Sequence, residues 1–263
     1  MTTAVVAAVL LLSMLSFVTT FLGVVLALWV GTSERAVAAG IGFSVGMMLL
    51  IALLELLPQA VSSVALAPTL LFGVVGMALV ALAHRFIPHI HLVAEKGDGD
   101  AAQLRSAYLI VLGLTLHDLP EGFAMANAYV AAPAIGIVTA IAIALHNLPE
   151  EFAMAVPVAT TGRKRVLFGA ALLSALAEPV GAVIGLVAVG TAPSLNGAFL
   201  GLAAGAMLFV SVHELLPMAR RYRHGAHFAL GAAVSVLVYA ALNAGLTQAA
   251  LRWAPAVTGA AQG

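Results

Sequence analysis

The sequence predicts an all-α integral membrane protein: eight transmembrane helices containing inverted repeats, with N-terminus and C-terminus both outside. Three observations carry that expectation. Hydrophobic residues make up 63% of the 263 positions and charged residues only 8%, against about 25% charged in a soluble domain. The apolar residues fall in long runs rather than in the short alternating segments of a membrane β-barrel. Nearly all the basic residues fall between alternate runs.

At about 20 apolar residues per crossing, the spans lie at roughly 3–30, 37–58, 66–87, 104–128, 132–157, 165–189, 195–217 and 225–250 of a single transmembrane domain, 1–263. The first run begins within a few residues of Met1, without a basic leader or a convincing Ala-x-Ala site, so it is expected to be a retained span rather than a signal peptide. The second follows Gly31-Thr32-Ser33 and is expected to stop at Pro58. Between the third and fourth, residues 88–103 contain Lys96-Gly97-Asp98-Gly99-Asp100 and form the one long polar loop, expected to be cytoplasmic. Pro133, Thr161-Gly162, Pro193 and Gly225 punctuate the remaining boundaries.

Orientation follows from lysine and arginine, which concentrate on the cytoplasmic side. Arg35, Arg85, Lys96, Arg105, Arg163, Lys164, Arg165, Arg220, Arg221 and Arg223 share one side of this arrangement, and only Arg252 falls on the other. The same distribution excludes a nucleic-acid partner, since no basic cluster exceeds three residues. The chain has no cysteine, which excludes disulfides, thiolate nucleophiles and Cys-based metal centres.

Gly42 to Pro58 (GFSVGMMLLIALLELLP) aligns without gaps to Gly201 to Pro217 (GLAAGAMLFVSVHELLP). The copies fall on the second and seventh spans, which the topology runs in opposite directions. Inverted repeats of this kind are the architecture of many secondary transporters, with the substrate site at the midplane.

A second pair sits at that midplane. His117-Asp118-Leu119-Pro120-Glu121 and His146-Asn147-Leu148-Pro149-Glu150 lie on the fourth and fifth spans, each followed one residue later by Phe-Ala-Met-Ala. Successive helical residues turn by about 100°, so His117 and Glu121 share a face, as do His146 and Glu150, with Asp118 and Asn147 in the same arcs. Ionisable side chains at membrane depth are expensive and mark functional sites. Glu178 and Met48 lie near the centres of their own spans. Pro120 and Pro149 lack an N–H, so kinked helices and freed carbonyls at Leu116 and Leu145 are expected. Imidazole and carboxylate together suit zinc, iron(II), manganese or cadmium better than calcium. Asp118, Glu121, Glu150 and Glu178 also supply four negative charges, the match of two divalent cations. On that count the charge total is expected to matter more than which helix carries the aspartate. The repeat further places Glu55, with Asn243, at the outer mouth of a path and its mate Glu214, with His213, at the inner mouth.

Paired His-[Asn/Asp]-x-Pro-Glu motifs on consecutive helices, with Ala177-Glu178-Pro179 on the next, resemble the ZIP (Zrt/Irt-like) family of divalent-metal transporters, and within it the broad-range bacterial importers. The resemblance implies that His117, Glu121, Glu150 and Met48 hold a first metal and that Asp118, Glu121, Asn147, Glu150 and Glu178 hold a second, with the two glutamates bridging. It implies His146 as a residue of the pathway beside them and His213-Glu214 as a cytoplasmic exit site. It further implies a homodimer in the bacterial cytoplasmic (inner) membrane. This chain departs from the pattern in three ways. Asp and Asn are exchanged between the two motifs, Glu151 stands where glycine is common, and the histidine-rich loop is reduced to His84, His89 and His91.

The expected activity is import of divalent cations, zinc first and iron, manganese and cadmium after it, by alternating access. No cofactor is expected beyond the transported ion, and the partners are that ion and the lipid bilayer. The rival is an intramembrane metal-dependent hydrolase. It lacks a His-Glu-x-x-His motif, and an inverted repeat does nothing for it.

Overall fold

The computed structural model describes residues 1–30, 33–86, 117–159 and 164–259. Among these, every regular element is helical. Among the described residues, seven helices are long and apolar enough to cross a membrane. In chain order the elements are α1 (Thr3–Val30), α2 (Glu34–Val64), α3 (Leu66–Phe86), α4 (described over 117–131), α5 (Pro133–Ala159), α6 (Lys164–Thr191), α7 (Pro193–Arg221) and α8 (Gly225–Gly259). The loop 88–103, with His89 and His91, lies outside the described residues, as do the His84 side chain and Leu116.

Two boundaries differ from expectation for one physical reason. Pro58 and Pro217 do not end their helices. Each is preceded by a π-helical segment, Ile51–Leu56 in α2 and Ser211–Leu215 in α7, after which the α-helix resumes with proline in its first turn. The first turn of a helix has no use for the missing N–H, so the chain passes through proline to Val64 and to Arg221. Pro149 likewise lies within an unbroken α5. At the C-terminal end α8 runs to Gly259, which places Arg252 within the helix rather than beyond it.

The repeat extends further than its sequence signature. Ala65, between α2 and α3, and Arg223, between α7 and α8, are the two non-glycine residues with positive φ (69° and 53°) among the described residues. Gly42 of α2 meets the Phe228 backbone of α8, and its mate Gly201 of α7 meets the Thr69 backbone of α3. Gly23 of α1 lies against the Leu148 carbonyl, and Gly181 of α6 against that of Leu119. The three-helix units α1–α3 and α6–α8 are therefore equivalent, with α4 and α5 between them. The units are antiparallel. Gly197, at the start of α7, lies by Ser63 and Val64 at the end of α2, while His224, just past α7, lies 3.5 Å from Glu34 at the start of α2.

The protein is polar inside and apolar outside. Leu11, Trp29, Leu71 and Leu237 are exposed, whereas the centre holds alanine and glycine around His117, His146 and the carboxylates. In lipid, large apolar side chains gain nothing by hiding, and small residues let helix backbones approach. α2, α5 and α7 are mostly buried, and α1, α3 and α8 form the periphery.

Candidate metal centre

α4 and α5 bring their motifs face to face and cross-pair them. His117 Nε2 lies 2.5 Å from Glu150 Oε1 and 3.4 Å from Asp118 Oδ1. His146 Nε2 lies 3.1 Å from Glu121 Oε1 and 3.8 Å from Glu150 Oε2. His117, Glu121 and Glu150 each present a ligand atom within 4.8 Å of the others, and all three are at most 2% exposed. A buried imidazole and two carboxylates converging this closely form a set that a divalent cation can join.

Neighbouring helices hold the pair in place. The Ser44 hydroxyl of α2 donates to the His146 carbonyl at 3.0 Å, and His146 Nδ1 hydrogen-bonds the Ala142 carbonyl at 2.9 Å, which leaves Nε2 facing the cluster. On the other side a Cβ at Gly122 would overlap the Glu178 carbonyl, so only glycine lets α4 and α6 approach this closely. That approach puts Glu178 within electrostatic reach of Glu121, Asp118 and Glu151, and the Asn147 amide hydrogen-bonds it. Among the described residues, buried Glu121 Oε2 and Glu178 Oε2 have no hydrogen-bond partner. Orphaned carboxylate oxygens in a buried site cost free energy that a cation would recover.

Residues outside the expected set complete the cluster. Ser174 of α6 lies between two carboxylates, Asp118 Oδ2 and, at 2.6 Å, Glu151 Oε1. A hydroxyl has one hydrogen to donate, so one of these contacts requires a carboxyl proton donated to the serine oxygen. Asp118, Glu121, Glu150, Glu151 and Glu178 are thus five of the chain's eleven acidic residues gathered in one buried cluster. The signal for Ser174 was helical periodicity, since it precedes Glu178 by one turn.

The other expected residues take separate positions. Met48 is fully buried, its sulfur 3.6 Å from the Ser211 hydroxyl of α7, whose hydrogen goes to the Met207 carbonyl at 2.8 Å. Glu55 Oε1 accepts the Tyr239 hydroxyl at 2.7 Å, and the Asn243 amide donates to the Tyr239 carbonyl at 3.3 Å. Tyr239, missed from the sequence, therefore joins Glu55 and Asn243, and its signal was its place one turn before Asn243. Glu214 lies within electrostatic reach of His117 and Glu150. The adjacent His213 is exposed and stacks on Phe209, with ring centroids 4.7 Å apart.

Comparison with known proteins agrees with this geometry. Residues 89–252, more than half of the chain, match the model of the family described as ZIP zinc transporter. A zinc transporter ZupT of Stenotrophomonas maltophilia (strain R551-3) is 38% identical over 211 residues, 73% of this chain and 78% of the relative. A zinc transporter ZupT of Salmonella newport (strain SL254) is 37% identical over 221 residues, 80% of this chain and 86% of the relative. With a family match over most of its length and a buried imidazole–carboxylate cluster on the two helices that carry the paired motifs, this chain belongs to the ZIP family.

Proposed function

We propose that this protein imports divalent metal cations across the bacterial inner membrane, zinc foremost and iron, manganese and cadmium as further cargo. The observation that carries this is the convergence of His117, Glu121 and Glu150 within 4.8 Å in a fully buried setting. The relatives are named zinc transporters, and the hydrolase alternative has no counterpart among them.

In this account the contacts His117–Glu150 and His146–Glu121 are what the cation replaces. An imidazole nitrogen must be free of its proton to ligate. The cation therefore displaces the proton between His117 Nε2 and Glu150 and takes over both lone pairs. His117, Glu121, Glu150 and Met48 hold the first ion. Asp118, Glu121, Asn147, Glu150 and Glu178 hold the second, with the glutamates shared and His146 lining the approach.

Eight crossings with both termini outside put Glu55, Tyr239 and Asn243 on the outer side and Glu214 and His213 on the inner side. The antiparallel units supply the two related arrangements that alternating access requires. The working unit is a homodimer.

The test is uptake by proteoliposomes containing the purified protein, across a panel of metals. Saturable zinc uptake supports the proposal. Binding without flux would make the protein a sensor or scaffold and overturn it. Orientation is checked with single cysteines and an impermeant thiol reagent. Cysteines at Ser62 or Ser194 should react from outside and one at Ser33 should not.

A further inference from the structure

Glu151 is the acidic residue of the cluster that the metal positions above do not use. It is 4% exposed and sits within electrostatic reach of Asp118, Glu150 and His117. Its position on α5 corresponds to Gly122 on α4, where the Glu178 carbonyl leaves no room for a Cβ. On α5 the room exists because the facing residue of α1 is Gly23, whose own Cβ position would meet the Glu151 Cβ. The carboxylate reaches the Ser174 hydroxyl at 2.6 Å, and through it Asp118. Glu178, whose buried Oε2 has no hydrogen-bond partner among the described residues, lies within electrostatic reach of both Asp118 and Glu151.

The geometry points to Glu151 as a further metal-binding and specificity-determining residue: with Ser174, Asp118 and Glu178 it makes an oxygen-only corner at the second metal position, suited to hard divalent cations such as manganese(II). The inference rests on the transport function proposed above. Zinc is well served by four mixed nitrogen and oxygen ligands, whereas manganese and magnesium favour higher coordination by oxygen. Asp118, Glu178 and Glu151 contribute carboxylate oxygens and Ser174 a hydroxyl, with Glu121 and Glu150 shared from the first position. Six oxygen-bearing side chains are then available without any imidazole. The serine holds Asp118 and Glu151 side by side, and a cation arriving there takes their lone pairs in place of the shared hydrogen.

The experiment compares manganese and zinc uptake by proteoliposomes of wild type and Glu151→Gln, a change that keeps shape and hydrogen bonding to Ser174 but removes the charge and one acceptor oxygen. The expected result is that the ratio of KM for manganese to KM for zinc rises by about tenfold or more. Glu151→Asp should restore part of it. Equal shifts for both metals, or no shift, would make Glu151 a packing residue and overturn the inference. Should Glu151→Gln not reach the membrane, Ser174→Ala must move the ratio in the same direction, and an unmoved ratio there overturns it equally. Manganese binding to detergent-purified protein, read by electron paramagnetic resonance, separates the two layers. Wild type that binds but does not transport removes the transport function and leaves the role of Glu151. Glu151→Gln that binds manganese like wild type removes the role of Glu151 and leaves transport.

Discussion

The motifs on α4 and α5 are nearly the same string, yet they do different work. Each histidine reaches across to the other helix's glutamate, His117 to Glu150 and His146 to Glu121, so the core of the site is reciprocal. The flanking residues are not. Asp118 is tied through Ser174 to Glu151, whereas Asn147 hydrogen-bonds Glu178. Gly122 is forced by the Glu178 backbone, and its counterpart Glu151 is admitted by a glycine on the other side of the contact, Gly23. A duplicated motif keeps its symmetry where the two copies face each other across the buried cluster. It loses that symmetry at the flanking residues, where Asp118, Asn147 and Glu151 all engage α6 and α1 contributes Gly23 opposite Glu151.

That comparison can be broken most decisively at its symmetric part. Glu121→Ala and Glu150→Ala should each reduce flux by at least about 100-fold, by similar factors, with the protein still in the membrane. In the proposed site each glutamate is shared by both ions, so its loss costs at least the roughly 10–100-fold typical of a supporting residue. Uptake near wild type in either variant, or a large inequality between the two, would break the reciprocity.

A smaller effect is expected at the asymmetric part. Counting four carboxylates suggested that Asp118→Asn with Asn147→Asp would restore what Asp118→Asn loses. The structure argues against this. A carboxylate introduced in place of the Asn147 amide would confront Glu178, and an amide in place of the Asp118 carboxyl would no longer share a proton with Ser174 and Glu151. Like charges at close range in a buried site repel strongly. Flux and binding in the double variant should be no better than in the single one, each reduced by about tenfold or more. Recovery in the double variant would restore the charge total as the governing quantity.

Packing predictions follow at lower cost. Gly122→Ala should destabilise the protein by about 1–3 kcal/mol, because its methyl group would overlap backbone that cannot swing aside. Melting in detergent measures it, and an unchanged Tm would mean that α4 and α6 are not in that contact. Ser44→Ala removes the hydroxyl that donates to the His146 carbonyl and should cost about 1 kcal/mol. A zinc affinity that falls more than that would give Ser44 a larger part than orienting α5.

Much of this was legible in the sequence because the membrane imposes strong constraints. Long apolar runs gave the helices, and the ionisable residues inside them marked His117, Glu121, His146, Glu150 and Glu178 as candidates, because such residues are costly at membrane depth. Helix ends at Pro58 and Pro217 were misjudged, since proline stops a helix only when an N–H is needed and the π segments remove that need. Ser174 and Tyr239 were missed because serine and tyrosine are common in membrane helices, and only tertiary contact shows which of them face a carboxylate. The repeat of α1 in α6 was missed for a similar reason. Its mates Gly23 and Gly181 share a packing role without sharing a motif.

The central claim is that the cluster joining α4 and α5 holds the transported metal. X-ray absorption at the zinc edge, on purified protein loaded with zinc, tests it most directly. Wild type should show nitrogen and oxygen neighbours at about 2.0–2.2 Å and a longer sulfur contribution from Met48, with the outer-shell scattering of an imidazole, and His117→Ala should lose that imidazole signature. A spectrum unchanged in His117→Ala and in Glu121→Ala would place the metal elsewhere and contradict the account.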